Sequence, residues 1–339
     1  MPTDLAELTT LRLGGPAGRV ATATTTGELV ELVRTADAVG EPVLLVGGGS
    51  NLVVGDDGWP GLVVLLRTTD VQVEPAGSSL AVRADAGVVW DELVARTVEQ
   101  GWSGLAAMSG IPGCAGATPV QNVGAYGSEV ADVLTGITVL DRQSGAVEKW
   151  RPQQCGFGFR TSAFKHTDRY VVLDVTFGLG PSPDAPAVRY LEVAKRLGVE
   201  PGATAPSTDV REVVLDLRRS KGMVLDSDDH DTWSVGSFFV NPFVAPDAVP
   251  DGCPHWVVDD QMKLSAAWLI EQAGFGKGYG STRGSGRVAV STKHSLALTN
   301  RGGASTAELL DLAREIRAGV EDRFGVRLRP EAHLIGVEL

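Results

Sequence analysis

Positive charge, cysteine and histidine are scarce in this chain, and each scarcity removes a class of function. Lysine and arginine number 30 against 42 acidic residues, a formal net charge of −12. That balance argues against a nucleic-acid or anionic-membrane surface. The three cysteines, Cys114, Cys155 and Cys253, are far apart with no C-x-x-C. Neither a disulfide framework nor a zinc site is expected, and a cytoplasmic location is. The five histidines include no H-x-x-x-H pair, so no metal is expected. No segment reaches the ~18 consecutive apolar residues of a membrane span. The opening MPTDLAELTTLRLGG is broken by Asp4 and Glu7, so no secretory signal is expected either. Aromatic residues make up 6% of the chain, which singles out SVGSFFVNP, where Phe238 and Phe239 adjoin Ser237.

What is present is a hydrophobic fraction of 43% with 21% charged residues, the balance of an ordinary globular protein. The length predicts two or three domains. TTGELVELVRTADAVG reads as an amphipathic helix with Thr26 at its N-cap and Gly40 at its end. PVLLV, LVV, GLVVLL and SLAVRADAG read as strands, and VVWDELVARTVEQG as a helix with Trp90, Leu93, Val94 and Val98 on one face. The strands GITVLD and YVVLDVTFGL follow, and the prolines of GPSPDAPA mark a loop or boundary. Beyond about residue 220 come a helix in KLSAAWLIEQAG and a last helix opened by the capping-box pair Ser305 and Glu308. The expected organisation is a glycine-loop-rich α+β region followed by a smaller α/β C-terminal lobe.

Two glycine-rich loops carry the first functional signal. VGGGSNLVV sets three glycines, Ser50 and Asn51 directly after a strand. Without Cβ atoms the backbone can approach a ligand, and successive amides can face one phosphate; the same residues equally suit a tight turn. No lysine follows as in a phosphate-binding G-x-x-x-x-G-K-[ST] loop, and the next element reads as extended, unlike a dinucleotide-binding G-x-G-x-x-G helix start. The second loop, SGIPGCAGATPVQNVGAYG, has five glycines, two prolines and no charge in nineteen residues. It is too apolar for a solvated linker and too broken for a long helix or strand, so it is expected to be ordered around something large. Two such loops suit a dinucleotide with a pyrophosphate, with FAD as the candidate.

VGGGSNLVV, SGIPGCAGATPVQNVGAYG, CGFGFRTSAFK, SVGSFFVNP, AAWLIEQAG and RPEAHLIG stand in the order they take in UDP-N-acetylenolpyruvoylglucosamine reductases. From about Leu11 to Gly336 the chain resembles that family. The resemblance implies an α+β fold whose FAD-binding region, of the vanillyl-alcohol-oxidase type, spans residues 10–185 in two subdomains split near 70. A connecting, lid-capable segment at 186–220 and a substrate-binding domain at 221–339 would follow. It further implies non-covalent FAD, NADPH as reductant, and a UDP-sugar enolpyruvyl ether reduced to UDP-N-acetylmuramate for peptidoglycan synthesis. The implied cofactor contacts are Gly47, Gly48, Gly49, Ser50 and Asn51 in the first loop. In the second they are Ser109, Gly110, Pro112, Gly113, Ala117 and Gly124.

The family reaction adds a hydride to the vinyl CH₂ carbon and a proton to the carbon bearing the carboxylate. Arg160 matches the catalytic arginine, whose planar fork can grip the carboxylate. Glu331 matches the acidic partner that shares the enolate charge in its protonated state. Ser237 is the implied proton donor: a hydroxyl is a weak acid, but an enolate carbon is basic enough to take its proton. The bland alternatives are a surface ion pair for Arg160, a salt-bridged Glu331 and a merely tight turn at Ser237. Tyr126, Lys221 and Asn241 match substrate contacts. Tyr190 either serves as the lid tyrosine of one subgroup or packs the start of RYLEVAKRL. Phe159 stands where many relatives have tyrosine, and His294, also an implied substrate contact, where a glutamine contact is common. The competing readings are an FAD-dependent alcohol or sugar oxidase of the same fold and an inactive flavin-binding module. The first histidine, His166, lies outside both glycine loops, which argues against a histidyl-linked flavin there. A monomer is favoured.

Overall fold

The computed structural model describes residues 3–339, which fall into two compact units: Arg19–Gly48 with Gly61–Arg219, and the stretch up to Gly18 with Gly49–Pro60 and Ser220–Leu339.

In the first unit a three-stranded sheet places Trp59–Leu66 between Ala17–Ala23 and Val43–Val46, the last pairing in parallel with Val43 opposite Leu62. Helix α1 (Thr26–Ala38) covers it, because Leu29, Val33 and Ala36 recur on one face and are buried among Ala23, Leu62 and Val64. Its N-cap is Thr25 rather than Thr26. The Thr25 hydroxyl accepts from the Glu28 amide and the Glu28 carboxylate accepts from the Thr25 amide, so the acid three residues on selects which threonine caps.

A second sheet is antiparallel, in the order Ala146–Trp150, Leu134–Asp141, Tyr170–Pro181, Ser79–Asp85, Val71–Ala76. Helix α2 (Trp90–Glu99) buries Trp90, Leu93, Val94 and Val98 as the sequence pattern predicts. Trp90 meets Phe177 of the sheet edge-on, centroids 5.6 Å apart, and its indole donates to the Met108 carbonyl at 3.1 Å. Two further helices, α3 (Leu191–Leu197) and α4 (Ser207–Ser220), close a third cluster around Val193, Val210, Val214 and Leu217.

The second unit carries α5 (Ala266–Gln272), capped by Ser265, and α6 (Thr306–Phe324), opened by the expected Ser305–Glu308 capping box. Its short sheets include a parallel pair, Leu52–Val54 with His333–Ile335. Phe238 and Phe239 are fully buried in its core, rings edge-to-face at 5.0 Å, with Leu269, Ile270, Leu309 and Ile316. Leu52–Val54 is extended after the first glycine loop, as the sequence predicts. Among the described residues no helix is long and apolar enough to cross a membrane.

Candidate active site

In the first unit the two glycine loops meet backbone to backbone. A Cβ on Gly48 would lie 2.8 Å from Gly113 Cα, and one on Gly47 would run into Cys114 Sγ. Only glycine permits this approach. The Arg67 guanidinium ties the first loop down, donating to the carbonyls of Gly47 at 3.1 Å and Leu66 at 2.7 Å.

The second loop is fixed from beneath. The Ser109 hydroxyl donates to Ala106 O at 2.7 Å and the Gly110 amide to Asp91 Oδ1 at 2.6 Å. Asp91 also receives the Arg211 fork at 2.6 and 2.9 Å. Burial opposes ionisation of Asp91, but the Arg211 fork and the Gly110 amide outweigh it and hold the carboxyl below its ordinary value. Under Gly110 lies Arg218, 9% exposed, with its Nε 3.3 Å from where a Gly110 Cβ would sit. Burial lowers its pKa. Pro112 and Ala117 are exposed on the same loop.

Farther along that loop the backbone is strained. Asn122, Tyr126 and Arg160 all have positive φ, 44°, 51° and 52°, which non-glycine residues adopt at a cost. Two of them meet directly: Arg160 donates to Asn122 O at 3.4 Å as well as to Gly124 O at 2.7 Å, and Lys165 Nζ donates to Arg160 O at 2.8 Å. Gly124 opens the hairpin Gly124–Ala125 with Ser128–Glu129. Tyr126 and Tyr190 stand edge-to-face at 5.2 Å, and burial raises both phenol pKa values.

The second unit holds the remaining candidates. Gly49, at φ 60°, accepts the Thr10 amide on its carbonyl, and Asn51 O accepts the His333 amide at 2.9 Å. Ser50 lies between them, half-buried. Ser237 follows Gly236, whose φ of 72° turns the chain with nothing within 4 Å of an added Cβ. The backbone then runs clamped on both sides. Phe238 N donates to Leu296 O, Phe238 O accepts from Glu331 N, both at 2.8 Å, and Val240 N donates to Arg329 O at 3.1 Å. Both phenylalanine rings anchor the segment in the core while Ser237 stays half-buried. On one side stands the loop of His294, whose Nε2 is 3.4 Å from Ser237 Oγ; on the other, Glu331. Asn241 Oδ1 accepts the Ala266 amide at the start of α5 at 3.0 Å. Lys221 is half-buried just past α4.

Sequence reading missed Arg67, Asp91, Arg211 and Arg218, and it missed the Ser237–His294 contact. Arg218 left a signal: it follows Val210, Val214 and Leu217 on the buried face of α4, where a charged residue is out of place unless used. The 57-residue gap between Ser237 and His294 leaves none.

A glycine-built loop pair backed by arginines, within an α+β fold, defines a flavin-dependent oxidoreductase once the comparisons are added. An FAD binding domain model matches residues 17–150, and the model of the UDP-N-acetylenolpyruvoylglucosamine reductase C-terminal domain matches residues 228–335. Curated proteins named UDP-N-acetylenolpyruvoylglucosamine reductase are similar along the whole chain. That of Thermobifida fusca is 50% identical, covering 99% of this chain and 97% of its own length; that of Nocardia farcinica is 52% identical, covering 99% and 89%. The crystal structure of the Thermus caldophilus reductase superposes with a TM-score of 0.69 at 25% identity, over 99% of this chain and 98% of that one. The chain belongs to the UDP-N-acetylenolpyruvoylglucosamine reductase family. The residues present fit FAD: the first unit brings the glycine backbones of the two loops together at Gly48 and Gly113, with the Arg67 guanidinium on the first loop and Arg218 beneath Gly110 of the second as cations for a diphosphate.

Proposed function

We propose that this chain catalyses the NADPH-dependent reduction of UDP-N-acetylglucosamine enolpyruvate to UDP-N-acetylmuramate, as a cytoplasmic monomer. With NADPH as the reductant, FAD held non-covalently would supply hydride chemistry for the vinyl CH₂ carbon. Gly47, Gly48, Gly49, Ser50 and Asn51 hold it from the first loop. Gly113, with Pro112, Ala117 and Gly124, holds it from the second, where Ser109 and Gly110 fix the turn from beneath. Arg67 and Arg218 answer the negative charge of its phosphates.

The remaining residues act on the substrate. Arg160, locked in a strained backbone, takes the enolpyruvyl carboxylate in its fork and steadies the charge that builds there. Glu331, in its protonated form, donates to the same developing enolate. Ser237 Oγ gives its proton to the carboxylate-bearing carbon. The buried phenylalanines behind Ser237 keep water from the reacting carbon. Tyr126, Tyr190, Lys221 and Asn241 orient the UDP-sugar. Lys221 supplies positive charge, and Asn241 reaches out through the NH₂ end of its amide.

The observation that supports this reading is the backbone clamp on Phe238 from Leu296 and Glu331, directly beside Ser237, whose hydroxyl lies 3.4 Å from His294 Nε2. The test is the absorption spectrum of the purified holoenzyme under anaerobic NADPH. A flavin band that bleaches and returns only with the enolpyruvyl ether is the expected result. Rapid return with oxygen alone identifies an oxidase instead.

A further inference from the structure

Resting on the assignment of Ser237 as proton donor, we propose that His294 is its positioning residue and proton supply. The imidazole Nε2 stands 3.4 Å from Ser237 Oγ, at the long end of a hydrogen bond, as such contacts often are before substrate binds.

The loop is built to hold that ring in place. The Ser291 hydroxyl accepts the amides of Lys293 and His294 at 3.0 and 3.2 Å, and the Ala297 amide returns to His294 O at 3.1 Å. The same loop then bonds Phe238 through Leu296 O, so ring and hydroxyl share one rigid frame. Charged neighbours of the loop are engaged with one another: Lys293 with Asp229 at 2.5 Å, and Asp231 with Thr292 and with Arg301 at 3.2 Å. Glu331 enters from the opposite side of Phe238.

The proton balance is closed by this pair. The O–H bond of Ser237 breaks as a C–H bond forms at the enolate carbon, and the Nε2–H of the imidazolium passes to the Ser237 oxygen. Neutral imidazole then recovers its proton from the bulk solution, which supplies the one H+ that the overall reduction by NADPH consumes. A serine alkoxide, unfavourable by itself, is never left behind. Glutamine at this position could donate a hydrogen bond to Ser237 but could not deliver its proton.

The test uses stopped-flow flavin absorbance on the holoenzyme with His294→Ala and His294→Gln. Reduction by NADPH is expected at the wild-type rate in both. Reoxidation by the enolpyruvyl ether should fall on the order of 10²-fold in His294→Ala, and added imidazole should restore part of it. Wild-type reoxidation should slow as pH rises through the imidazole range, and His294→Gln should lose that limb. In the resting holoenzyme, Ser237→Ala should shift the ¹⁵N NMR titration of His294. Wild-type reoxidation in His294→Ala, or a retained pH limb in His294→Gln, overturns the relay while leaving the reductase assignment intact. Wild-type flavin that the enolpyruvyl ether cannot reoxidise overturns both.

Discussion

The glycine loops of the first unit and the Ser237 segment of the second, proposed to hold cofactor and substrate, are made rigid with opposite materials. The loops use backbone: Gly48 and Gly113 come so close that no side chain fits between them. The Ser237 segment uses side chains held from behind, two phenylalanines in the core and two flanking loops bonded to Phe238. A backbone-built site is written in consecutive residues; a side-chain-built one is assembled from positions far apart in the chain. The first should fail when atoms are added, the second when they are removed.

Gly48→Val is the largest break on the backbone side. Its branched side chain would enter space already held by Gly113, so the purified variant is expected to carry little or no flavin, read from its absorption spectrum. A full flavin band would show that the apposed loops do not form the cofactor cradle. Phe238→Ala is the matching deletion on the other side. It removes a fully buried ring and should cost about 3–5 kcal/mol in denaturant unfolding. A cost under about 1 kcal/mol would mean the segment is not anchored as described.

Arg160→Lys keeps the charge and loses the fork. Its carboxylate contact should weaken by about 1.5–3 kcal/mol, roughly a 10- to 10²-fold loss in kcat/KM with thermal stability nearly unchanged. Wild-type kcat/KM would reduce Arg160 to bulk charge.

The smallest effect concerns Glu308, whose carboxyl is held down at about 2, first by the Ser305 amide and further by Arg287 and Ser285. A depressed carboxyl stabilises the fold above its unfolded pKa and loses that contribution as pH falls through the folded one. Glu308→Gln should therefore lower Tm modestly near pH 7, and the gap should close between about pH 4.5 and 2. A constant gap across that range would assign the effect to shape rather than charge.

How far the sequence could be read follows the same division. Trp90, Leu93, Val94 and Val98 announced α2, and Ser305 with Glu308 announced α6, because each signal lies within a few turns of helix. The cap of α1 was one residue off among three consecutive threonines, although Glu28 marks Thr25 by its spacing. The glycine loops were legible as close-approach backbone, as Gly48 against Gly113 shows, since their chemistry is local. The Asp91–Arg211 fork beneath Gly110 spans 120 residues and the Ser237–His294 contact 57. Only the fold brings such pairs together. Individual residue types at those positions carry no mark of the partner they will meet.

The central claim is that Ser237 delivers a proton to carbon, and Ser237→Ala tests it in two half-reactions. Flavin reduction by NADPH needs no such proton and is expected at close to the wild-type rate. Reoxidation by the enolpyruvyl ether should slow by roughly 10²–10⁴-fold, with Ser237→Cys recovering part of the loss because a thiol is the stronger acid. Slow reduction with normal reoxidation would contradict the account and leave SVGSFFVNP as a packing element alone.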